Sequence, residues 1–181
     1  AVNQSEDYGQ LAVQGPLAET IMEEVLALKC KELAFYTFKV MACGTEEIIV
    51  SRTGYTGEDG FEIYGSHDFI RLCWDKLISE GRTLPCGLGC RDTLRFEVGL
   101  PLYGDELNDD ITPIEAGLGM FVKLGKDNFI GRDALARQKA EGVARKLIGI
   151  ELSGRAIPRH GYEVVSGEEV VGVVTTGYQS I

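Results

Sequence analysis

Histidine is scarce in this chain: only His67 and His160 occur among 181 residues. That scarcity leaves no credible nucleophile–base pair of the usual kind. It also removes the commonest metal-site ligand sets. The five cysteines, Cys30, Cys43, Cys73, Cys86 and Cys90, are odd in number and scattered. Cys86-x-x-x-Cys90 has no matching second pair, so the expectation is reduced thiols in a cytoplasmic protein and no metal. Basic residues are also few, 18 against 28 acidic ones for a net charge of −10. A nucleic-acid binder shows a basic face, so this balance argues against nucleic acid, although one or two local arginines can still hold a small anion. No apolar run approaches the ~18 residues of a membrane span. Ala1 to Tyr8 lacks the basic-then-apolar order of a signal peptide. Gly-x-Ser-x-Gly, phosphate-loop and dinucleotide fingerprints are all missing, and Gly87-x-Gly89 stands without the rest of such a motif.

The chain does have a 44% apolar composition, enough for a sizeable core in one large or two small domains. Leu11 to Gln14 reads as a strand. Gly15-Pro16 then opens an amphipathic helix over Leu17 to Leu28, with Leu17, Ile21, Val25 and Leu28 on one face. Phe35 to Val40 and Glu46 to Arg52 read as strands joined by a turn at Gly44-Thr45. Phe61 to Tyr64 is a further strand, and His67 to Glu80 is a helix with Phe69, Leu72, Cys73, Leu77 and Ile78 on its apolar stripe. This order predicts an α+β fold, with mostly antiparallel sheets and helices packed on one face. Helical periodicity recurs from Arg91 to Val98, with Gly99 as its stop. Ile111 to Glu115 begins another ordered segment, and Phe129 to Asp133 leads into a helix through about Glu141. After Gly142 the pattern becomes all-β, with strands over Leu147 to Leu152, Tyr162 to Val165 and Val170 to Thr175, which places a boundary near residue 144.

The densest signal is Ser51 to Tyr64, S-R-T-G-Y-T-G-E-D-G-F-E-I-Y. Gly54, Gly57 and Gly60 recur every third residue, a pattern suited to sharp turning or close approach of a ligand to backbone. Glu62 is the sharpest candidate: its carboxylate accepts two parallel hydrogen bonds from an amino-pyrimidine edge such as that of a pterin or guanine. The competing reading is a solvent-facing carboxylate on a strand that turns Phe61 and Ile63 inward. Tyr55 either stacks on a flat ring or is an ordinary loop tyrosine. Glu58 and Asp59 are expected to stabilise a turn. Arg91 is a cation near a helix start, where the dipole disfavours it. It serves either a ligand carboxylate or an internal ion-pair set with Asp92 and Arg95. Tyr103 either lines the same cavity or packs, and His160 reads as a surface turn residue.

Taken in order, L-A-V-Q-G-P at Leu11 to Pro16, the Ser51 to Tyr64 stretch, P-C-G-L-G-C-R-D-T-L-R-F-E at Pro85 to Glu97, P-L-Y-G-D-E-L at Pro101 to Leu107, T-P-I-E-A-G at Thr112 to Gly117, I-P-R-H-G-Y at Ile157 to Tyr162 and V-T-T-G at Val174 to Gly177 resemble the glycine cleavage T-protein (aminomethyltransferase) family from end to end. The resemblance implies a folate site and transfer of a methylene unit from the aminomethyl-lipoyl arm of H-protein to tetrahydrofolate, with release of ammonia and no metal. It implies Glu62 as the pterin-binding glutamate, Arg91 as a folate contact and Tyr55 as cavity wall, with Tyr103 beside them. It divides the chain into residues 1–84, the second half of a first α+β folate-binding domain; 85–143, a segment of a second α+β domain; and 144–181, the start of a C-terminal β-barrel. The family's catalytic aspartate belongs to an Asp-Asp-Leu type segment ahead of L-A-V-Q-G-P, and no such segment falls between Ala1 and Leu11. The expectation is therefore a central fragment with no catalytic residue of its own, inactive alone. Two alternatives share the fold: the folate domain of a sarcosine- or dimethylglycine-oxidising enzyme, and a non-catalytic folate-binding module.

Overall fold

The computed structural model describes residues 2–179. They form two compact units, one running to Val98 and the other starting at Gly99.

The first unit is built on a four-stranded antiparallel sheet. Its strands are β1 (Gly9–Gln14), β2 (Phe38–Cys43), β3 (Glu46–Ser51) and β4 (Gly60–Gly65), in the order β1-β4-β3-β2. Helices α1 (Ala18–Leu26) and α2 (His67–Glu80) cover one face. The two-residue period of a strand explains the sidedness. Phe61 and Ile63 of β4, Ile48 and Val50 of β3 and Val13 of β1 point to the helices, where they meet Ala18, Ile21, Met22, Leu26, Cys73 and Leu77 in one buried cluster. Each fully buried aliphatic or aromatic side chain of this kind contributes roughly 1.5–3 kcal/mol. Ser66 caps α2 by accepting a 3.2 Å hydrogen bond from the Phe69 amide, and Gly81 ends it in the left-handed region at φ 88°. Gly44 at φ 65° makes the β2–β3 turn, as the sequence suggested.

β2 begins three residues later than its periodicity predicted. The Thr37 amide and hydroxyl both donate to the Ala34 carbonyl, at 3.1 and 2.7 Å, closing a turn with Tyr36 at φ 61°. Phe35 to Thr37 are consumed by that turn. Helix α3 (Leu88–Glu97) starts three residues earlier than its periodicity showed, and Gly99 follows its cap residue Val98 at φ 68°.

The second unit is less regular. Thr112 and Glu115 form a reciprocal capping box. The Thr112 amide donates to Glu115 Oε2 at 2.8 Å and the Glu115 amide donates to Thr112 Oγ1 at 3.3 Å. The turn so capped closes through the Ala116 amide on the Thr112 carbonyl and stops at Gly117, φ 76°. A short 3-10 turn (Gly119–Phe121) and α4 (Arg132–Glu141) follow. An antiparallel hairpin, β5 (Glu163–Ser166) with β6 (Glu169–Val173), then turns through Gly167. The strand expected over Leu147 to Leu152 does not form. The Leu147 amide donates to the Glu115 carbonyl, but no ladder partner lies alongside among the described residues. Ile148 and Ile150 are exposed. Alternating apolar residues make a strand only where a neighbouring strand takes up the backbone groups.

Candidate functional site

The sheet face opposite α1 and α2 carries the polar residues. Register sets them in rows: Phe38, Ser51, Glu62 and Ala12 lie opposite one another across the four strands, and Val40, Ile49, Tyr64 and Gln10 form the next row. Glu62 is half-buried at the centre of the first row. Its Oε1 accepts from Gln10 Nε2 at 2.8 Å. Its Oε2 accepts from the Tyr64 hydroxyl at 3.2 Å and from the Thr53 hydroxyl in a short bond. Thr53 in turn meets Ser51 Oγ at 2.7 Å, and Gln10 also reaches the Tyr64 hydroxyl at 3.3 Å. The Tyr64 hydroxyl is pushed up from its ordinary value, first by burial and then by the adjoining Glu62 charge, so it remains a donor. Glu62 is thus a carboxylate held in a network on the outward side of β4, while Phe61 and Ile63 turn inward as the alternation predicted. Phe38 and Val40 leave an apolar margin beside it, 68% and 51% exposed.

The glycine triplet has a definite cause. A Cβ on Gly54 or Gly60 would fall 1.9 or 2.4 Å from the amide end of Gln14. Gln14 Nε2 donates to the Thr53 and Phe61 carbonyls at 3.1 and 3.2 Å, tying the loop to β1. Gly57, at φ 82°, faces Val98, and a Cβ there would lie 2.4 Å from a valine methyl. The glycine spacing suggested sharp turning or approach of a ligand to backbone; the groups that approach it in this structure are the side chains of Gln14 and Val98.

Asp59 acts as the expected turn residue. Arg52 donates to it through Nε at 2.9 Å and Nη2 at 2.5 Å, and also reaches Glu19 at 3.0 Å and the Leu33 carbonyl at 3.2 Å. The Arg52 hydrogen bond holds the Asp59 carboxyl below its ordinary value of 3.8. Glu58 faces solvent, its amide donating to Thr56 Oγ1.

Arg91 and Tyr55 come together. The exposed Arg91 guanidinium carbon stands 4.9 Å from the centroid of the Tyr55 ring, a cation–π arrangement worth about 0.5–1 kcal/mol at an exposed site. Of the ion-pair set considered from sequence, Arg95 and Asp92 form one member: Arg95 is buried and its Nε donates to Asp92 Oδ1 at 2.5 Å. Tyr103 belongs to the second unit, where its hydroxyl donates to Asp109 Oδ1 at 2.8 Å. His160 Nδ1 lies 2.8 Å from the Thr175 carbonyl oxygen, in a turn as expected. The sequence reading missed Gln10, Gln14, Thr53 and Tyr64. The signal was present in β1, where Gln10 and Gln14 alternate with Leu11 and Val13, but only strand register brings that polar edge against Glu62. A separate concavity of about 370 Å³ opens between the β2–β3 turn and α2, lined by Cys43, Thr45, Glu46, Phe69 and Leu72 among others, and it includes none of the four residues predicted for the site.

The fold is an α+β domain whose sheet face opposite the helices presents an oriented carboxylate, and the same unit carries a tyrosine–arginine stack between the glycine loop and α3. Residues 1–126 match the model of the GCVT N-terminal domain, and residues 145–181 match that of the glycine cleavage T-protein C-terminal barrel domain. The chain belongs to the glycine cleavage T-protein family. It is 55% identical to an aminomethyltransferase of Alkaliphilus oremlandii over 99% of its own length and 50% of that protein. With an aminomethyltransferase of Caldanaerobacter subterraneus it shares 53% identity over 98% of its length and 49% of that protein. The crystal structure of glycine cleavage system aminomethyltransferase T from Bartonella henselae superposes with a TM-score of 0.87 at 34% identity, across 93% of this chain and 47% of that one. The chain thus spans about half the length of the curated relatives it matches. No described helix is long and apolar enough to cross a membrane.

Proposed function

We propose that this chain supplies the pterin-reading face of a folate-dependent aminomethyltransferase, which moves a methylene unit from the aminomethyl-lipoyl arm of H-protein to tetrahydrofolate and releases ammonia. The observation that carries the reading is the fixed orientation of Glu62. A pterin presents an amino group and a ring N–H side by side, and a carboxylate held in one plane accepts both. Tyr55 offers a flat ring for stacking, and the guanidinium donors of the exposed Arg91 suit the anionic end of a folate. Tyr103 is assigned to the same ligand on family resemblance alone. Family membership and the polar row across the sheet support the reading, which extends to cytoplasmic H-protein as partner.

A lone-pair count adds a consequence. The two carboxylate oxygens offer about four acceptor sites, and Gln10, Thr53 and Tyr64 already use three. A bidentate pterin needs two, so one donor must leave. Tyr64, with the longest bond, is the one displaced.

None of the residues assigned here carries out the transfer chemistry; Glu62, Tyr55 and Arg91 bind and orient. The chain by itself is expected to show no transfer with aminomethylated H-protein and tetrahydrofolate, and turnover at the level of a full-length relative would overturn this. In a protein of the relatives' full length carrying this segment, Glu62→Ala is expected to weaken binding of 5-formyltetrahydrofolate by about a hundredfold, the loss of two hydrogen bonds to a charged group. Unchanged affinity in a fluorescence titration would refute Glu62 as the pterin reader.

A further inference from the structure

Gln14 ends β1 directly opposite Gly60, on the same sheet face as Ala12 and Glu62. Its amide occupies the space that a Cβ on Gly54 or Gly60 would fill. There Nε2 donates to the carbonyls of Thr53 and Phe61, at the two ends of the glycine loop, at 3.1 and 3.2 Å, and Oε1 accepts from the Thr56 hydroxyl at 3.4 Å. Thr53 carries the next link. Its hydroxyl donates to Glu62 Oε2 in a short bond and stands 2.7 Å from Oγ of the buried Ser51. The far side of the loop has its own closure. The Gly15 amide donates to the Asp59 carbonyl at 2.8 Å, and Arg52 grips the Asp59 carboxylate. What the Gln14 amide adds to that closure is the placement of Thr53.

We infer, on the reading of Glu62 as the pterin contact, that Gln14 is a positioning residue acting through Thr53: it sets the plane of the Glu62 carboxylate before the amino-pyrimidine edge of the ligand arrives. Two side-by-side N–H donors need both carboxylate oxygens in their own plane, and the terminal torsion of a glutamate is broad and easily turned. Thr53 is the stiffest of the three donors that oppose that turning. A single side-chain torsion separates its hydroxyl from the backbone, in contrast to the long stem of Gln10 and the ring of Tyr64. Pinning the Thr53 carbonyl therefore pins its hydroxyl, and the hydroxyl pins Glu62. A group held beforehand in its bound geometry raises affinity without a new contact to the ligand. Tyr64, with the longest bond to Glu62, yields its place to the ligand while Thr53 stays. Removing the Thr53 hydroxyl and removing the Tyr64 hydroxyl are thus expected to act in opposite directions.

The test is a fluorescence titration with 5-formyltetrahydrofolate in a protein of the relatives' full length carrying this segment. Thr53→Val keeps the side-chain shape and removes the hydroxyl, and is expected to weaken binding about tenfold. Thr53→Ser restores the hydroxyl and is expected to stay within about twofold of the parent. Gln14→Met keeps the stem and removes the amide, with an expected loss of about fivefold. Gln14→Asn, whose shorter stem withdraws the amide from both carbonyls, is expected to give the same loss and keeps the test open if Gln14→Met does not fold. The double variant Gln14→Met/Thr53→Val is expected to bind like Thr53→Val alone, because the first change acts only through the second. p-Aminobenzoylglutamate, which lacks the pterin, is expected to bind every variant as it binds the parent. Unchanged affinity in Thr53→Val, or additive losses in the double variant, while Glu62→Ala shows its own loss, would overturn the positioning role and leave the pterin reading standing. Equal losses for both ligands would overturn it too, leaving Gln14 and Thr53 as supports of the fold alone. Unchanged affinity in Glu62→Ala would overturn the pterin reading and the positioning role with it.

Discussion

Glu62 is held by three donors from three different segments: Gln10 of β1, Thr53 of the glycine loop and Tyr64 of its own strand. That arrangement gives a prediction at the scale of one atom. Tyr64→Phe removes the hydroxyl that competes with a pterin for Glu62 Oε2 and leaves the ring in place. In a full-length protein carrying this segment, 5-formyltetrahydrofolate affinity is expected to hold or rise by up to about tenfold, the worth of one modest hydrogen bond. A drop of the Glu62→Ala size in the same titration would mean that Tyr64 touches the ligand itself. The carboxylate was legible from alternation along Phe61 to Tyr64. Its donors were not, because Gln10 is fifty-two residues away in sequence and becomes a neighbour only through β1–β4 pairing.

At the scale of elements, the glycine loop and α3 depend on each other. Gly57 takes a left-handed backbone at φ 82° against Val98, directly after the last residue of α3. Gly57→Ala therefore meets both backbone strain and a methyl clash, and is expected to cost about 2–3 kcal/mol in urea unfolding. Adding Val98→Ala relieves the clash but not the strain, so the double variant is expected to recover roughly half the loss. Full additivity of the two single costs would show that Gly57 and Val98 do not interact. The helix over His67 to Glu80 was readable to the residue, since its stripe is long and Ser66 and Gly81 bound it. The Leu147 to Leu152 strand was misread for the opposite reason: its pattern is short, and pairing, not propensity, decides a strand.

At the scale of the whole chain, the net charge is −10, and two carboxylates among the described residues, one in each unit, are held in their charged form. Asp59 in the first unit is depressed by its hydrogen bond to Arg52. Glu115 in the second is depressed from 4.5, first by the Thr112 amide and then by Arg145. A depressed carboxyl adds stability that is fully present above its ordinary value and fades as pH falls through the folded value. Both units are therefore expected to keep their urea midpoints from pH 7 to about pH 5 and to lose stability below about pH 4. Arg52→Ala is expected to flatten that dependence in the first unit. An acid limb unchanged in Arg52→Ala would remove Asp59 from the account.

The sequence alone determined the α+β class, the two helices over the sheet and the carboxylate on its outer face. Those follow from periodicities of two and 3.6 and from glycine punctuation, all local properties of the chain. It also carried the ordered motifs by which the family is recognised. Only the tertiary structure decided that the glycines make room for Gln14 and Val98, that Arg91 goes to Tyr55 while Arg95 takes Asp92, and that Gln10 and Tyr64 orient Glu62. Each of these is a meeting of side chains governed by strand register and helix placement. Register joins residues tens of positions apart, and no local pattern specifies which polar group will face which.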